Sequence, residues 1–280
     1  MAGAATTRNI VSVIAAAKRR PKHLDKPKGQ ADGTKHSRAL TPGRLAQAVT
    51  GDAWTLHILR HSFAGARRYS AFRDRLRAEG MPIPELVLAD RLRRLVTLRV
   101  LDRRTGTSET SRREYWLTDR GVALWTILIA IRDWEAQYTA PGRGRVSKHI
   151  VHTRCGQTIH PVLSCGHCGV QITARDTEVD DSGAVALATP PPTAPNYRRS
   201  ILRREPHAQG PRRRFYRLTD KGLALFAVVF FTVDWGNRWL ASHPEDFRVI
   251  HKRCGVAFRP AFRCSHCGGP LARHEVQLVP

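Results

Sequence analysis

"RREYWLTDRGVALWTILIAIRDWEAQY", residues 112–138, returns as "RRFYRLTDKGLALFAVVFFTVDWGNRW", residues 213–239, at a constant offset of 101. Thr118, Asp119, Gly121, Asp133 and Trp134 reappear as Thr219, Asp220, Gly222, Asp234 and Trp235. Self-similarity at a fixed offset marks a duplicated structural unit, so the chain reads as two copies of one plan. In each copy a Thr-Asp pair suited to capping precedes an apolar stretch of helical length, expected at 121–139 and 222–240. The match reaches back to "ILRRE" at 201–205 against "VLDRR" at 100–104, while residues 51–95 have no counterpart. The second copy therefore keeps a hairpin and a long helix and lacks the helices that precede them in the first.

The repeat also runs forward. "HTRCGQTIHPVLSCGHC" at 152–168 returns as "HKRCGVAFRPAFRCSHC" at 251–267, now 99 positions on, and the two stretches contain all 6 cysteines of the chain. Thiolates and imidazoles at short spacing suit tetrahedral zinc, with each x2 spacing presenting two ligands to one ion. The spacing predicts one site from His152, Cys155, Cys165 and Cys168, and a second from His251, Cys254, Cys264 and Cys267. His167 and His266 recur as well; being in the middle of a Cys-x2-Cys knuckle, they are expected to point away from the ion, which favours His152 and His251. Four protein ligands leave no open position, so two structural zinc ions per chain are expected, with no catalytic metal. Redox sensing through Cys-x2-Cys disulfides is the competing reading, and no thioredoxin-like strand and helix context supports it.

Ahead of the first hairpin the apolar residues Leu40, Leu45, Val49, Trp54, Ile58 and Leu59 recur at helical spacing, giving two helices separated at Gly51. A third helix fits "RYSAFRDRL" (68–76) and a fourth "PELVLADRLRRLVTL" (84–98), with Pro84 in its first turn. "RVLDRR", the tip "TGTSETS" and "RREYWLT" read as two strands and their turn. Helix, turn, helix and a basic hairpin, in that order, make a winged helix-turn-helix. On the fourth helix Leu88, Leu92 and Leu95 fall on one inward stripe, and Leu86, Asp90 and Arg93, flanked by Arg94, fall on the other face. Near the start of a recognition helix, Leu86 can meet a thymine methyl and Asp90 can accept from cytosine; Arg93 and Arg94, farther along, suit phosphates. Arg67, Arg68, Arg103, Arg104, Arg112 and Arg113 extend this into a basic surface. Trp54, Trp134 and Trp235 read as core anchors.

These stretches, "GDAWTLHILR", "RRYSAFRDRL", "IPELVLADRLRRL" and "RREYWLTDRG", resemble HxlR-type bacterial transcription regulators. The resemblance covers about residues 40–140 in full and 197–240 in part. It implies control of a nearby promoter, usually by a dimer that pairs partly through the helix after the wing. Thr41 stands near where many relatives carry a sensing cysteine, so this chain departs from that pattern.

Composition agrees with a nucleic-acid partner. The 280 residues include 47 Lys and Arg against 23 Asp and Glu, a formal charge of +24, far beyond what solubility needs. The apolar run "GLALFAVVFFTV" (222–233) is short for a membrane span and reads as a buried helix. In "MAGAATTRNIVSVIAAAKRR" the apolar stretch precedes the charges, contrary to a secretory signal. No nucleophile–base pair, phosphate loop or open metal site is visible, so no enzymatic activity is expected.

The expected architecture is α+β. A basic arm (1–38) precedes a winged helix-turn-helix (39–140) and a zinc-ribbon-like module (146–179). A linker (180–196) leads to a partial winged-helix repeat (197–242) and a second ribbon-like module (246–280). Double-stranded DNA is the expected partner and the reducing cytoplasm the expected compartment. A homodimer and an intrachain pseudo-dimer both remain open, as does a ribbon-based protein-interaction role with non-specific nucleic-acid binding.

Overall fold

The computed structural model describes residues 46, 49–105, 113–138, 149–180, 201–207, 210–241 and 248–279. The basic arm, Thr41, Arg112, the hairpin tip and all of the linker beyond Asp180 lie outside the described residues.

Helix α1 (Ala53–Phe63) begins at Asp52, whose carboxylate accepts from the Thr55 backbone N–H at 3.0 Å and so satisfies one of the orphan donors of a first turn. Helix α2 (Tyr69–Ala78) buries Phe72 and Leu76, and Gly80, at φ 75°, turns the chain towards the next element. Helix α3 (Glu85–Thr97) buries Leu88, Leu92 and Leu95, the stripe expected from their spacing. Pro84 is its N-cap, one position ahead of the expected first-turn placement, which leaves its missing N–H without consequence for the helix. These three helices close on a core with Ile58, Leu59 and Val100.

Strands β1 (Leu101–Thr105) and β2 (Arg113–Leu117) pair antiparallel with Leu101 opposite Leu117. Thr118 then clasps the hairpin. Its hydroxyl donates to Arg99 O at 2.6 Å and accepts from Gly121 N at 3.1 Å, capping α4 (Asp119–Val122). The single long helix expected here is broken, for α5 (Trp125–Tyr138) starts only after a tighter turn with Leu124 N to Gly121 O and Ile127 N to Leu124 O, both 3.1 Å. The physical reason is the clasp. Gly121 lies so close to the hairpin that a Cβ there would stand 2.1 Å from Val100 O, so the first turn is pinned to the wing while the rest of the segment aligns elsewhere.

Four short strands follow: β3 (His149–His152), β4 (Gln157–Thr158), β5 (Pro161–Cys165) and β6 (Thr177–Asp180). The second copy then repeats the plan. Hairpin β7 (Leu202–His207) and β8 (Gly210–Leu218) sets Leu202 opposite Leu218, and α6 (Asp220–Leu223) is capped by the Thr219 hydroxyl. Helix α7 (Phe226–Leu240) leads to β9 (Arg248–His251), β10 (Val256–Ala257), β11 (Pro260–Cys264) and β12 (Val276–Val279). Taken from Asp220 to Leu240 this segment is 21 residues and long and apolar enough to cross a membrane by length and composition, more than the 222–233 run suggests. Here it is split into α6 and α7, and Phe226, Phe230, Phe231 and Trp235 are buried in the protein core.

The copies exchange strands. The sheets run β12-β3-β4 and β10-β9-β6, and β5 pairs with β11. Each three-stranded sheet therefore takes its third strand from the other copy, and the registers are symmetric: Val276 faces His152 as Thr177 faces His251. The β5–β11 pairing is centred on Leu163 opposite Phe262, equivalent positions of the repeat. Helices α5 and α7 pack together by the same rule. Trp134 Nε1 donates to Lys221 O and Trp235 Nε1 to Arg120 O, each at 2.9 Å. These reciprocal bonds describe an internal twofold relating the two copies.

Candidate nucleic-acid interface and metal centres

On α3 the burial of three leucines turns the opposite face outward. Leu86 is 86% exposed, against 42% for Leu278 and 37% for Val229, the other exposed large apolar side chains among the described residues, and Asp90, Arg93 and Arg94 are exposed beside it. Arg94 has no side-chain ion pair among the described residues. Asp90 is not isolated: its carboxylate accepts from Arg91 at 2.6 Å and stands 3.7 Å from Arg93. Arg91 also donates to Asp52 at 2.7 Å, so one half-buried guanidinium ties the start of α1 to the exposed face of α3. Burial would raise the Asp52 carboxyl, but the hydrogen bonds from Arg91 and Thr55 outweigh it and hold it below the ordinary carboxylate range. Nothing in the sequence singled out Arg91, because its partner is remote along the chain.

The basic surface divides into two kinds of arginine. Arg67 lies half-buried, donates to Ser62 O at 2.8 Å and Ala66 O at 3.2 Å, and stacks over the Trp116 ring at 4.6 Å. Arg68 pairs with Glu114 at 3.3 Å, and Tyr115 N donates to Arg67 O at 2.7 Å. These two hold the wing to the helices, a structural role beside the DNA contact expected of Arg67 and Arg68. Arg104 also lies over the Trp116 ring, at 5.6 Å, and pairs with Asp102 at 3.0 Å. Arg103 and Arg113 are exposed and make no ion pair among the described residues, and Arg112 lies outside them.

The candidate metal ligands come together in an unexpected grouping. His152 and Cys155 meet Cys264 and Cys267, and Cys165 and Cys168 meet His251 and Cys254, with the four ligand atoms of each group within 4.8 Å of one another. Both within-copy sets expected from the spacing are thus corrected: each cluster is half of one copy and half of the other. The reason is the β5–β11 pairing and the strand exchange, which carry each Cys-x2-Cys knuckle to the His-x2-Cys pair of its partner copy.

Distances fit the donor set. His152 Nδ1 is 3.4 Å from both Cys155 Sγ and Cys267 Sγ, and Cys155 Sγ is 3.8 Å from Cys264 Sγ. His251 Nδ1 is 3.3 Å from Cys168 Sγ and 3.4 Å from Cys254 Sγ. Ligands of one tetrahedral zinc ion stand about 3.5–3.8 Å apart, whereas disulfide sulfurs stand about 2.05 Å apart. All six cysteines are free. Both rings are buried, 0% and 1% exposed, with Nδ1 turned to the sulfurs; His167 and His266 are exposed. His266 contributes its backbone instead, for its N–H and that of Cys267 each reach Cys264 Sγ at 3.4 Å. Burial opposes ionisation of the Cys264 thiol, but those N–H groups, with the Cys267 and His152 side chains, bring its pKa down to about 7.

Behind each ring stands a carboxylate of the other copy. Glu275 Oε2 is 3.9 Å from His152 Nε2, a buried nitrogen with no hydrogen-bond partner among the described residues, and the equivalent Asp176 immediately precedes Thr177, the strand partner of His251. The repeat offset could have found this pair, since Asp176 and Glu275 are 99 apart like the ligands.

Comparison with known proteins identifies a family. The profile of the HxlR-like helix-turn-helix family matches residues 49–143 and 197–244. An uncharacterized HTH-type transcriptional regulator of Mycobacterium tuberculosis (strain CDC 1551 / Oshkosh) is 39% identical over 134 residues, 48% of this chain and 80% of that protein. One of Mycobacterium bovis is 38% identical over the same shares. The crystal structure of PA1607, a candidate transcription factor, has 34% identity and a TM-score of 0.43, covering 51% of this chain and 96% of that one.

Proposed function

This chain belongs to the HxlR-like helix-turn-helix family, and from that premise we propose that it is a sequence-specific, DNA-binding transcriptional regulator held together by two structural zinc ions. It is a regulator and not an enzyme, as its family is. The observation that carries the reading is the outward face of α3. There an 86% exposed leucine stands among charged residues, above a helix core that is fully packed. An apolar side chain left in water at the start of such a helix gains from contact with a thymine methyl. Arg94 and, on the wing, Arg103 and Arg113 suit the phosphate backbone, with Arg112 beside them in sequence.

The metal part of the proposal rests on the donor set. His152, Cys155, Cys264 and Cys267 would hold one ion, and Cys165, Cys168, His251 and Cys254 the other. Zinc bound there supplies a cross-link and no open coordination position. Because each ligand set spans both copies, the second copy serves as a built-in partner, and we assign the chain one reading head and a monomeric state. Thiolate ligands suit a reducing compartment, so the cytoplasm is the proposed location.

Selection of bound duplexes from a random pool tests the central claim. A shared motif in the selected DNA is the expected result; equal affinity for random duplex would instead favour a protein-interaction module that binds nucleic acid loosely.

A further inference from the structure

Among the described residues no reading helix of its own precedes hairpin β7–β8, yet its base is held like that of the wing. Thr219 Oγ1 donates to Ile201 O at 3.1 Å and accepts from Gly222 N at 3.1 Å, as Thr118 Oγ1 meets Val100 O at 3.2 Å and Gly121 N at 3.1 Å in the first copy. A Cβ at Gly222 would stand 2.4 Å from Ile201 O, so the hairpin sits as tightly on α6 as β1–β2 does on α4. The reciprocal tryptophan bonds between the helix segments then relate the two hairpins by the internal twofold.

Their charge differs sharply. Residues 101–117 hold four arginines against three carboxylates, whereas residues 202–218 hold six arginines against one. In the register, Asp102 opposite Trp116 is replaced by Arg203 opposite Arg217, both exposed. Both side chains therefore add positive charge to the exposed surface of the hairpin, where a polyanion laid along it would meet them. Duplex DNA has its own twofold axes, so a duplex gripped by the first wing with its dyad on the protein's internal twofold meets the second hairpin at the matching place.

We infer that hairpin β7–β8 is a second duplex-DNA contact, one that binds the phosphate backbone and reads no bases. This rests on the DNA-binding reading given above. The protein then recognises a single half-site and holds the symmetry-related half by charge alone.

The test compares the full-length protein with the Arg203→Ala/Arg217→Ala double variant and with the conservative Arg203→Lys/Arg217→Lys pair. Each phosphate contact steepens the salt dependence by nearly one unit, so raising salt from roughly 50 to 200 mM should cost the parent about tenfold more affinity than the alanine pair. The selected motif should be unchanged, backbone protection beyond the half-site should disappear, and the lysine pair should restore both slope and protection. Zinc content equal to the parent's shows that the variants are folded. An alanine pair with the parent's slope and footprint overturns the inference, as does a changed motif. Arg94→Ala run alongside separates the failures: if it weakens binding while the hairpin pair does not, only the second contact is lost, and if the parent itself binds no duplex, the DNA-binding reading falls.

Discussion

At the scale of single residues, Asp52 shows how one side chain serves two structures. It caps α1 through Thr55 and anchors Arg91, which in turn holds Asp90 on the exposed face of α3. Removing a capping carboxylate costs about 1 kcal/mol, and Asp52→Ala should lose at least that in chemical denaturation because the Arg91 anchor goes with it. The sign with pH follows from the depressed carboxyl: the stabilisation is complete above its ordinary value of 3.8 and is lost as pH falls through the lower folded value. Asp52→Ala should therefore flatten the acid limb of a stability profile. On the exposed face, Arg94→Ala should weaken binding to all duplexes and reduce the salt dependence. Asp90→Ala should alter base preference, read by repeating the selection from a random pool; an unchanged motif would remove Asp90 from base readout.

At the scale of elements, the two Thr-Asp-x-Gly turns decide how each hairpin meets its helix. The glycine is needed for close approach and not for an unusual dihedral, since its absent Cβ would stand 2.1 Å from Val100 O in one copy and 2.4 Å from Ile201 O in the other. Both blocking atoms are backbone and cannot rotate away. Gly121→Ala is expected to destabilise by about 1–3 kcal/mol, the usual cost of forcing atoms into a packed site, and Gly222→Ala by a similar amount. Thermal unfolding measures both. The recurrence of Thr118, Asp119 and Gly121 made the turn legible in the sequence, but the break before Trp125 was not, because apolar periodicity continues through it and only the contact with Val100 pins the first turn.

At the scale of the whole molecule, the exchanged strands place each candidate metal cluster across the two copies, where a bound ion would staple them together. A sharp test follows from the grouping. Cys155→Ser combined with Cys267→Ser removes two ligands of one cluster, so elemental analysis should find one zinc per chain; Cys155→Ser combined with Cys165→Ser damages both clusters and should leave none. Ligand sets confined to each copy predict the reverse. Stripping metal with a chelator should loosen the β5–β11 region and the helix pair together, since both close on the same twofold. Sedimentation of the zinc-loaded protein should give a monomer, because the α5 and α7 faces expected to pair two chains already cover each other; a dimer protecting an inverted repeat would overturn the one-headed assignment.

Local spacing by itself determined the inward stripe of Leu88, Leu92 and Leu95, the outward Leu86 and Arg94, the two capped turns and the eight residues gathered at the metal clusters. Each of these depends on residues within one or a few turns of chain, where periodicity and ligand chemistry act. Which half-set completes which cluster was beyond it: both copies offer the same His-x2-Cys and Cys-x2-Cys pairs, so the sequence is equally consistent with closure within a copy or across copies. Tertiary structure broke that tie. Pairing β5 with β11 and lending β6 and β12 to the opposite sheets buries both rings and brings each knuckle to the other copy's histidine, a choice made by strand pairing and core packing over some hundred residues of chain.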